Sequence, residues 1–242
     1  MTVGPARACL AACFAVALPG CFVVTVPGRA PTGTFSPLPE GDDTVGSVYM
    51  EGAFWPTAGA NVQLPTDKNL VVDLGGQVAF THWSANPGLW FRNEEQDGDG
   101  RRMAHRLGLE LGQGDLVGYR AWEMPFAGIS YHFQSQRSHP RHVSSTTLGI
   151  QATTPLALGE VNYTDDTGDS FAVVSLPAAW FGARWAWAWP VATSGDRFVL
   201  AAGFDMEIGL VGISFLVTPI VPSPTLSLAW QFGPPAKPAA LH

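Results

Sequence analysis

The chain has 242 residues, of which 46% are hydrophobic and 14% charged, whereas soluble globular domains usually carry about 25% charged residues. So few charges, together with 11% aromatic residues, exclude an intrinsically disordered chain, because such a sequence collapses in water. A net charge of −7 and the lack of a basic stripe argue against a nucleic-acid partner.

The amino terminus has the pattern of a secretory signal. One cation, Arg7, precedes an apolar run over residues 8–18, which is shorter than the roughly 20 residues that a bilayer-spanning helix needs. Small residues follow the run. We therefore predict that residues 1–20 are a signal peptide and that the chain is exported.

The end of this signal carries a more specific motif. Leu18-Pro19-Gly20-Cys21 resembles the bacterial lipobox, although Pro19 replaces the small residue usual at that site. The resemblance implies cleavage before Cys21 and lipidation of its thiol. Cleavage would also leave Cys21 as the single cysteine of the mature chain. Phe22, in place of an acidic residue, implies transfer of such a lipoprotein to the outer membrane. The alternative is an ordinary signal cleaved nearby, with Cys21 incidental.

Composition divides the remainder into three parts. Residues 21–44 are rich in Pro, Gly and Thr, which predicts a lipid-anchored, extended tether. Residues 45–232 alternate between apolar and small or polar residues, which is typical of β-strands. Residues 233–242 contain three prolines and are predicted to be a short C-terminal tail.

The alternation predicts eight antiparallel strands, joined up and down into a transmembrane β-barrel. Under this assignment, the short turn at residues 113–115 falls on the outer side and the long segment 83–101 on the periplasmic side, the reverse of the usual arrangement. One strand is therefore miscounted, within 116–133 or 171–189, and ten strands is the alternative. The predicted strands are 46–54, 69–82, 102–112, 116–133, 143–153, 171–189, 197–211 and 224–232.

Strand length and face chemistry favour a membrane barrel over a soluble sandwich. The predicted strands are longer than the ~5–6 residues of globular strands and match the ~9–11 residues that cross a bilayer. One face carries the bulky apolar residues, and the other is rich in Gly and Ala with charges of both signs. Prolines interrupt the stretches 171–193, which contains Arg184 alone, and 208–236, which carries no charge, and so argue against membrane helices there. Tryptophans near strand ends are typical of interfacial girdles: Trp55, Trp83, Trp122, Trp180, Trp185, Trp187 and Trp189.

The last predicted strand carries a terminal motif. Residues Thr225–Phe232 resemble the C-terminal signal by which outer-membrane barrels are recognised, although Ser227 replaces the usual Gly and a tail follows. The resemblance implies that the barrel-insertion machinery is a partner. In architecture and terminal signal the chain resembles the small barrel family that includes OmpA-like transmembrane domains, with no family motif along its length.

Several charges fall on the small-residue faces of the strands. If the barrel forms, these side chains point into the lumen, where we expect them to pair because an unpaired buried charge is costly. An eight-stranded barrel is filled by such side chains and has no wide channel. The predicted lumenal charges are Asp73, Arg106, Glu110, Arg120, Arg184, Asp205 and Glu207.

Other chemical signals are weak. His142 and Ser144 resemble the histidine and serine, two residues apart, of lipid hydrolases among small outer-membrane barrels, and Glu160 is the nearest downstream acid. Asp97 and Asp99 could supply two oxygen ligands to Ca²⁺, but the full twelve-residue calcium loop is absent. A solvated loop is the favoured interpretation of this acidic stretch, and no metal or other cofactor is expected.

These observations favour a lipid-anchored β-barrel in the outer membrane with a structural, adhesive or partner-docking role and no enzymatic activity. Outer-membrane lipid is then its immediate surrounding. One alternative is a periplasmic lipoprotein with a soluble lipocalin-like or sandwich domain, whose apolar faces would turn inward to bind an apolar ligand. A second alternative is a lipid-acting barrel hydrolase.

Overall fold

A computed structural model of the chain describes residues 22–25, 35–39, 42–52, 56–79, 82–93, 101–116, 119–156, 161–164, 170–175, 178–191, 195–209 and 222–233. It describes the backbone alone at 22–25, 114–116, 119–124, 155, 161–164, 170–175, 178, 207–209 and 222–223. Within these ranges the regular structure is β-strand, and no helix is long and apolar enough to cross a bilayer.

Fourteen strands make up the described fold. They are β1 (Phe22–Thr25), β2 (Val45–Gly52), β3 (Thr57–Asp67), β4 (Leu70–Ala79), β5 (His82–Ala85), β6 (Gly88–Asn93), β7 (Arg101–Leu116), β8 (Tyr119–Ser138), β9 (Val143–Pro155), β10 (Val161–Thr164), β11 (Ser170–Ser175), β12 (Ala178–Pro190), β13 (Arg197–Gly209) and β14 (Pro222–Phe232).

The main sheet closes into an antiparallel barrel. Its strands follow one another around the wall in chain order, with β9 pairing with β12, and β14 returns to pair with β2. The short strands β5 and β6 both lie between β4 and β7, so together they occupy one position in the wall. The barrel therefore has ten strand positions, and closure leaves no free sheet edge among them.

The predicted all-β, up-and-down antiparallel barrel is confirmed, with the alternative count of ten. The two additional positions are β3 and the interrupted β5–β6 strand, not subdivisions of 116–133 or 171–189. The predicted turn at 113–115 lies within β7, which continues to Leu116 with a register shift. Weak alternation in β3 and an Asn86-Pro87-Gly88 break after β5 concealed both strands, because Pro and Gly are typical of loops.

The two ends of the barrel differ. At the terminal end, where β2 begins and β14 ends, the connections are residues 68–69, 94–100, 139–142 and 191–196. At the opposite end, called here the loop end, they are 53–56, 80–81, 117–118, 156–177 and 210–221. The 156–177 connection carries β10 and β11, which form a separate three-stranded sheet with β1.

Candidate functional site: a lumen filled by ion pairs and an N-terminal segment

The outer surface of the barrel is apolar. Strand alternation directs large hydrophobic side chains outward, and Met50 and Ile129 remain 69% and 65% exposed. A belt of this extent is unfavourable in water and far exceeds the patches found on soluble monomers. Its members on the barrel strands include Val48, Val62, Leu74, Val78, Leu89, Phe91, Leu107, Leu109, Leu111, Leu148, Ile150, Leu226, Leu228 and Phe232.

Aromatic side chains concentrate toward the strand ends of this surface. Trp83 lies at the loop end and donates its indole Nε1–H to Gln113 at 3.2 Å. Trp189 lies at the terminal end and stacks on Phe198, with ring centroids 6.4 Å apart. Trp185 and Trp187 face outward between them. Trp180 differs from the girdle prediction, because it shares the inward face of β12 with Arg184. Trp55 and the side chain of Trp122 lie outside the described residues.

The inner wall is mainly polar, the opposite of a soluble ligand-binding barrel. Buried lumenal side chains include Gln63, Gln77, Gln134, Gln136, Gln151, Gln231, Asn61, Ser130, Thr147, Thr153 and Thr225. A polar wall surrounded by an apolar outer surface is the arrangement of transmembrane barrels. The lumen is therefore the candidate functional site.

One ion pair, the Arg106 cluster, spans β4 and β7. Arg106 Nε donates to Asp73 Oδ2 at 2.8 Å, with both side chains almost fully buried. Its Nη2 donates to the Asn86 carbonyl at 2.8 Å, and Asn61 Nδ2 donates to Asp73 Oδ1 at 3.2 Å. Gly88 and Gly108 leave room for the guanidinium, since a Cβ at either position would collide with it.

A second ion pair, the Arg184 cluster, lies across β12, β13 and β2. Arg184 binds Asp205 with two hydrogen bonds, Nη1–Oδ1 at 2.8 Å and Nη2–Oδ2 at 2.7 Å. Its Nε also lies 3.4 Å from Glu51 Oε2, which accepts a hydrogen bond from Ser227 Oγ at 2.7 Å. This bidentate geometry suits arginine because its planar guanidinium matches a carboxylate.

The remaining predicted lumenal charges behave differently. Glu110 is fully buried in the wall, and it forms no ion pair with either arginine in the part of the chain that the structure describes. The side chains of Arg120 and Glu207 lie outside the described residues. Glu51 was not predicted, although it continues the alternation that buries Ser47 and Tyr49 in β2.

A segment from the predicted tether lies inside the barrel. Residues 35–39, called here the lumenal segment, are buried, and Phe35 and Leu38 are 0% and 4% exposed. Phe35 packs edge-on against Tyr49, with ring centroids 6.0 Å apart. Leu38 packs in a separate cluster with Val71 of β4 and Trp90 of β6, whereas the cluster around Phe35 draws on β2, β9, β12, β13 and β14. The segment therefore crosses the lumen near the terminal end.

Wall side chains bind the backbone of the lumenal segment. Gln134 Nε2 donates to the Ser36 carbonyl at 3.1 Å, and Gln231 Nε2 donates to the Pro37 carbonyl at 2.8 Å. Gln136 bonds both backbone groups of Leu38, accepting from its N–H at 3.0 Å and donating to its carbonyl at 3.4 Å. Further donors complete the set: Ser145 Oγ to the Phe35 carbonyl and Arg92 Nη1 to the Pro39 carbonyl. Five consecutive carbonyls are thus satisfied by the wall.

The predicted hydrolase residues lie on the terminal end, outside the lumen. Ser144 Oγ lies 3.1 Å from His139 Nε2, so its imidazole partner is His139 and not His142. His142 instead stacks on His139, with ring centroids 4.5 Å apart. Glu160, Asp97, Asp99 and Cys21 lie outside the described residues. In the part described, no group of three or more His, Cys, Asp or Glu side chains could hold a metal ion.

No protein-family model matches the chain, and no curated protein matches it. Solved structures similar to it include the N-terminal β-barrel domain of OprF from Pseudomonas aeruginosa, at 8% identity over 79% of this chain and 98% of that one, with a TM-score of 0.35. The translocator domain of the autotransporter NalP from Neisseria meningitidis is 10% identical over 83% and 91%, with a TM-score of 0.33. OpdK from Pseudomonas aeruginosa, with vanillate, is 11% identical over 74% of this chain but 56% of its own length, with a TM-score of 0.27. At these identities and TM-scores nothing further about this chain follows from the likeness.

Proposed function

We propose that this protein is an outer-membrane β-barrel lipoprotein with a structural, adhesive or partner-docking role and a closed lumen. The observation that carries the proposal is the inversion of polarity, an apolar belt outside and buried ion pairs inside. A bilayer would cover this belt, whereas its exposure to water would be unfavourable.

The contents of the lumen support a closed barrel over an open channel. The Arg106 and Arg184 clusters hold charged groups in the wall, and the lumenal segment crosses the space between the walls near the terminal end. Partners would then bind the surfaces at the two ends of the barrel. The soluble alternative, with apolar faces turned inward, is disfavoured because those faces point outward.

Two features of the sequence extend the proposal to assembly. Phe232, the final aromatic of the Thr225–Phe232 motif, faces outward on the last strand, and we expect the barrel-insertion machinery to recognise the chain through this motif. Lipidation of Cys21, after removal of residues 1–20, would add a second membrane attachment.

Heat-modifiability on a gel tests the membrane barrel. Membranes from an expressing Gram-negative host are run with and without boiling, for the wild type and for Cys21→Ser. We expect a compact, faster band before boiling, retention of both forms in the outer membrane, and incorporation of labelled palmitate by the wild type alone. A band that does not shift, with Cys21→Ser released into the periplasm, would overturn the barrel and support a tethered soluble domain.

A further inference from the structure

A row of four outward-facing residues, called here the rim row, crosses the terminal end of the barrel. Arg101, the first residue of β7, is in register with Arg137 near the end of β8. Arg137 is in register with Ser144 of β9, and Ser144 is in register with Trp187 of β12. Alternation along each strand places all four on the face that carries the apolar belt.

Two cations of the rim row lie directly opposite each other. Arg101 and Arg137 are both exposed, and residues paired across antiparallel strands have Cα atoms about 4.5–5.5 Å apart. Neither arginine forms an ion pair within the described residues, and the outward side chains described on β7, β8, β9 and β12 include no carboxylate. The acidic side chains of the 94–100 connection lie outside the described residues. Since like charges opposite each other destabilise a sheet, an anion bound between the guanidiniums would relieve their repulsion.

Polar groups beside the arginines continue this cationic site toward β9. Ser144 Oγ lies 3.1 Å from His139 Nε2, in the connection between β8 and β9. His142 stacks on His139 and also lies beside Trp189, with ring centroids 6.3 Å apart. A hydroxyl and two imidazoles, next to two planar guanidiniums, offer the O–H and N–H donors that phosphate oxygens accept. The chemistry of the rim row therefore suits a phosphate group.

Neighbouring aromatics indicate the depth of the site in a bilayer. Trp187 belongs to the rim row, and Trp189 lies two residues nearer the end of β12, with 36% and 37% of their surfaces exposed. Outward tryptophans of membrane barrels lie at the level of the lipid headgroups. Farther from the rim, the same face continues into the apolar belt at Leu107 and Leu148. A lipid bound at its phosphate would therefore lay its acyl chains on the belt.

We propose that Arg101 and Arg137 form a binding site for the phosphate of an anionic glycerophospholipid. The inference deepens the proposed outer-membrane function and rests on it, because the terminal end, with its shorter connections, then faces the periplasm. The phosphodiester lies between the two guanidiniums, with Ser144 beside it. The site thus holds a phospholipid of the periplasmic leaflet against the rim of β7, β8 and β9.

Lipid binding by the purified full-length barrel tests the site. The barrel in detergent micelles is titrated with phosphatidylglycerol, and native mass spectrometry measures the lipid-bound fraction. We expect Arg101→Gln and Arg137→Gln to weaken binding about fivefold each, and together about 25-fold, since the attraction of one basic residue to an anionic lipid surface corresponds to such a factor. Arg137→Lys should lose less than Arg137→Gln, because Lys keeps the charge but not the bidentate geometry.

A control variant and heat-modifiability separate this inference from the proposed function. Lys68 is an exposed cation of the terminal end, in the connection between β3 and β4, so Lys68→Gln should bind phosphatidylglycerol as the wild type does. A heat-modifiable double arginine variant that also binds like the wild type would overturn the site and leave the membrane barrel intact. A wild-type chain that is not heat-modifiable and retains no lipid would overturn the proposed function, and the site with it.

Two competitors identify the source of the phosphate. Inorganic phosphate in excess should not displace phosphatidylglycerol, because it gains nothing from the apolar belt. Displacement that depends on Arg101 and Arg137 would overturn the assignment to a lipid. Purified lipid A should bind more weakly than phosphatidylglycerol. Stronger binding of lipid A, lost in the double arginine variant, would overturn the assignment to the periplasmic leaflet.

Quenching of Trp187 fluorescence gives a readout that is specific for this position. Trp187 adjoins Ser144 in the rim row, and the difference between wild-type and Trp187→Phe spectra isolates its emission. Phosphatidylglycerol with brominated acyl chains should quench this emission more than brominated phosphatidylcholine does, and the two lipids should quench equally in the double arginine variant. Trp83, exposed at the loop end and isolated in the same way by Trp83→Phe, should be quenched equally by both lipids. Equal quenching of Trp187 in the wild type would contradict a site at the terminal end.

Discussion

Arg184 is the common partner of the Glu51 and Asp205 carboxylates in the Arg184 cluster. Replacing it by Met would leave the Glu51 and Asp205 carboxylates buried without their common partner. Removing one partner of a buried ion pair costs about 3–5 kcal/mol, and we expect a loss of that size in the free energy of unfolding. Urea titration of the barrel in detergent micelles, followed by tryptophan fluorescence, measures it.

A matched control distinguishes the loss of this buried ion pair from the loss of an exposed arginine. Arg141 is exposed in the connection between β8 and β9, and Arg141→Met should change the free energy of unfolding by no more than about 0.5 kcal/mol. Arg184→Lys should fall between the two, because Lys keeps the charge but not the bidentate geometry. Equal small losses for Arg184→Met and Arg141→Met would mean that the cluster contributes no stability.

Gly108 tests whether the Arg106 cluster needs the space that glycine leaves. A Cβ at this position would collide with the Arg106 guanidinium and lie 2.6 Å from Ser130 Oγ, so Gly108→Ala must shift the arginine side chain, and we expect this to weaken its bond to Asp73. We expect a destabilisation of about 1–3 kcal/mol, as for other overpacked sites. Gly52→Ala is the control, because its Cβ would meet nothing closer than the Leu226 carbonyl at 3.8 Å. Unfolding in urea should distinguish the two variants, and equal stability would show that Arg106 adapts without cost.

For single residues, the sequence predicts the strand face on which a side chain lies better than it predicts the residue with which that side chain pairs. Alternation places Asp73, Arg106, Arg184 and Asp205 opposite the bulky apolar residues, and the structure buries all four in the lumen. Their pairing depends on strand register, which joins residues as distant as Glu51 and Arg184. A period of two assigns each side chain to a face but does not determine its height in the barrel.

At the scale of the strand, the sequence shows a clear apolar alternation only where the outward residues are large. β7 and β13 present leucines and aromatics to the outside, and the sequence predicts both. In β3 the outward residues include Ala58 and Ala60, so the contrast between the faces is small. The wall tolerates such a strand because it pairs with β2 over residues 57–63 and with β4 over residues 57–67, with one register shift after Pro65.

Leu109, midway along β7, tests whether the outer belt contacts lipid. It is 53% exposed, and an arginine at the bilayer midplane of a barrel costs about 2–4 kcal/mol. Leu109→Arg should therefore reduce the free energy of unfolding of the barrel in liposomes by that amount. Leu156, 60% exposed beyond the end of β9, is the control, with an expected cost of about 0–1 kcal/mol near the interface. A neutral or more soluble Leu109→Arg would instead place this surface in water.

Two glutamines of β8 bond the backbone of the lumenal segment at Ser36 and Leu38. Ser36 is 1% exposed, so the thiol of Ser36→Cys should react slowly with maleimide in the otherwise wild-type barrel. Gln134→Leu with Gln136→Leu removes the side chains that bond Ser36 and Leu38, leaving their backbone groups unsatisfied, and should speed the reaction. Gln113→Leu, on the outer face, is the matched control and should leave the rate unchanged. No acceleration in the double variant would assign the anchoring to Phe35 and its apolar neighbours instead.

At the scale of the whole molecule, the sequence predicts the architecture but not the contents of the barrel. The predicted sides of the 113–115 turn and of the end of the 83–101 segment do not change with ten strands, because the two additional positions, β3 and β5–β6, both precede β7 and leave its direction the same. No alternation predicts the place of residues 35–39, whose Pro-rich composition has no period. Their partners on the wall lie up to 194 residues away, as in the bond from Gln231 to Pro37.

A closed lumen has a direct electrical consequence. In planar lipid bilayers the wild-type barrel should show no stepwise conductance, since the lumenal segment crosses the interior and the wall binds five of its carbonyls. Replacing residues 35–39 by Gly and Ser in equal number removes Phe35 and Leu38, whose buried side chains fill the space between the walls. The replaced segment should leave the lumen intermittently, giving brief steps whose frequency rises with applied voltage. Cys21→Ser, which alters the anchor and not the segment, should be as silent as the wild type. Long-lived open steps from the wild type would contradict a closed barrel, because they require a continuous aqueous path past the segment.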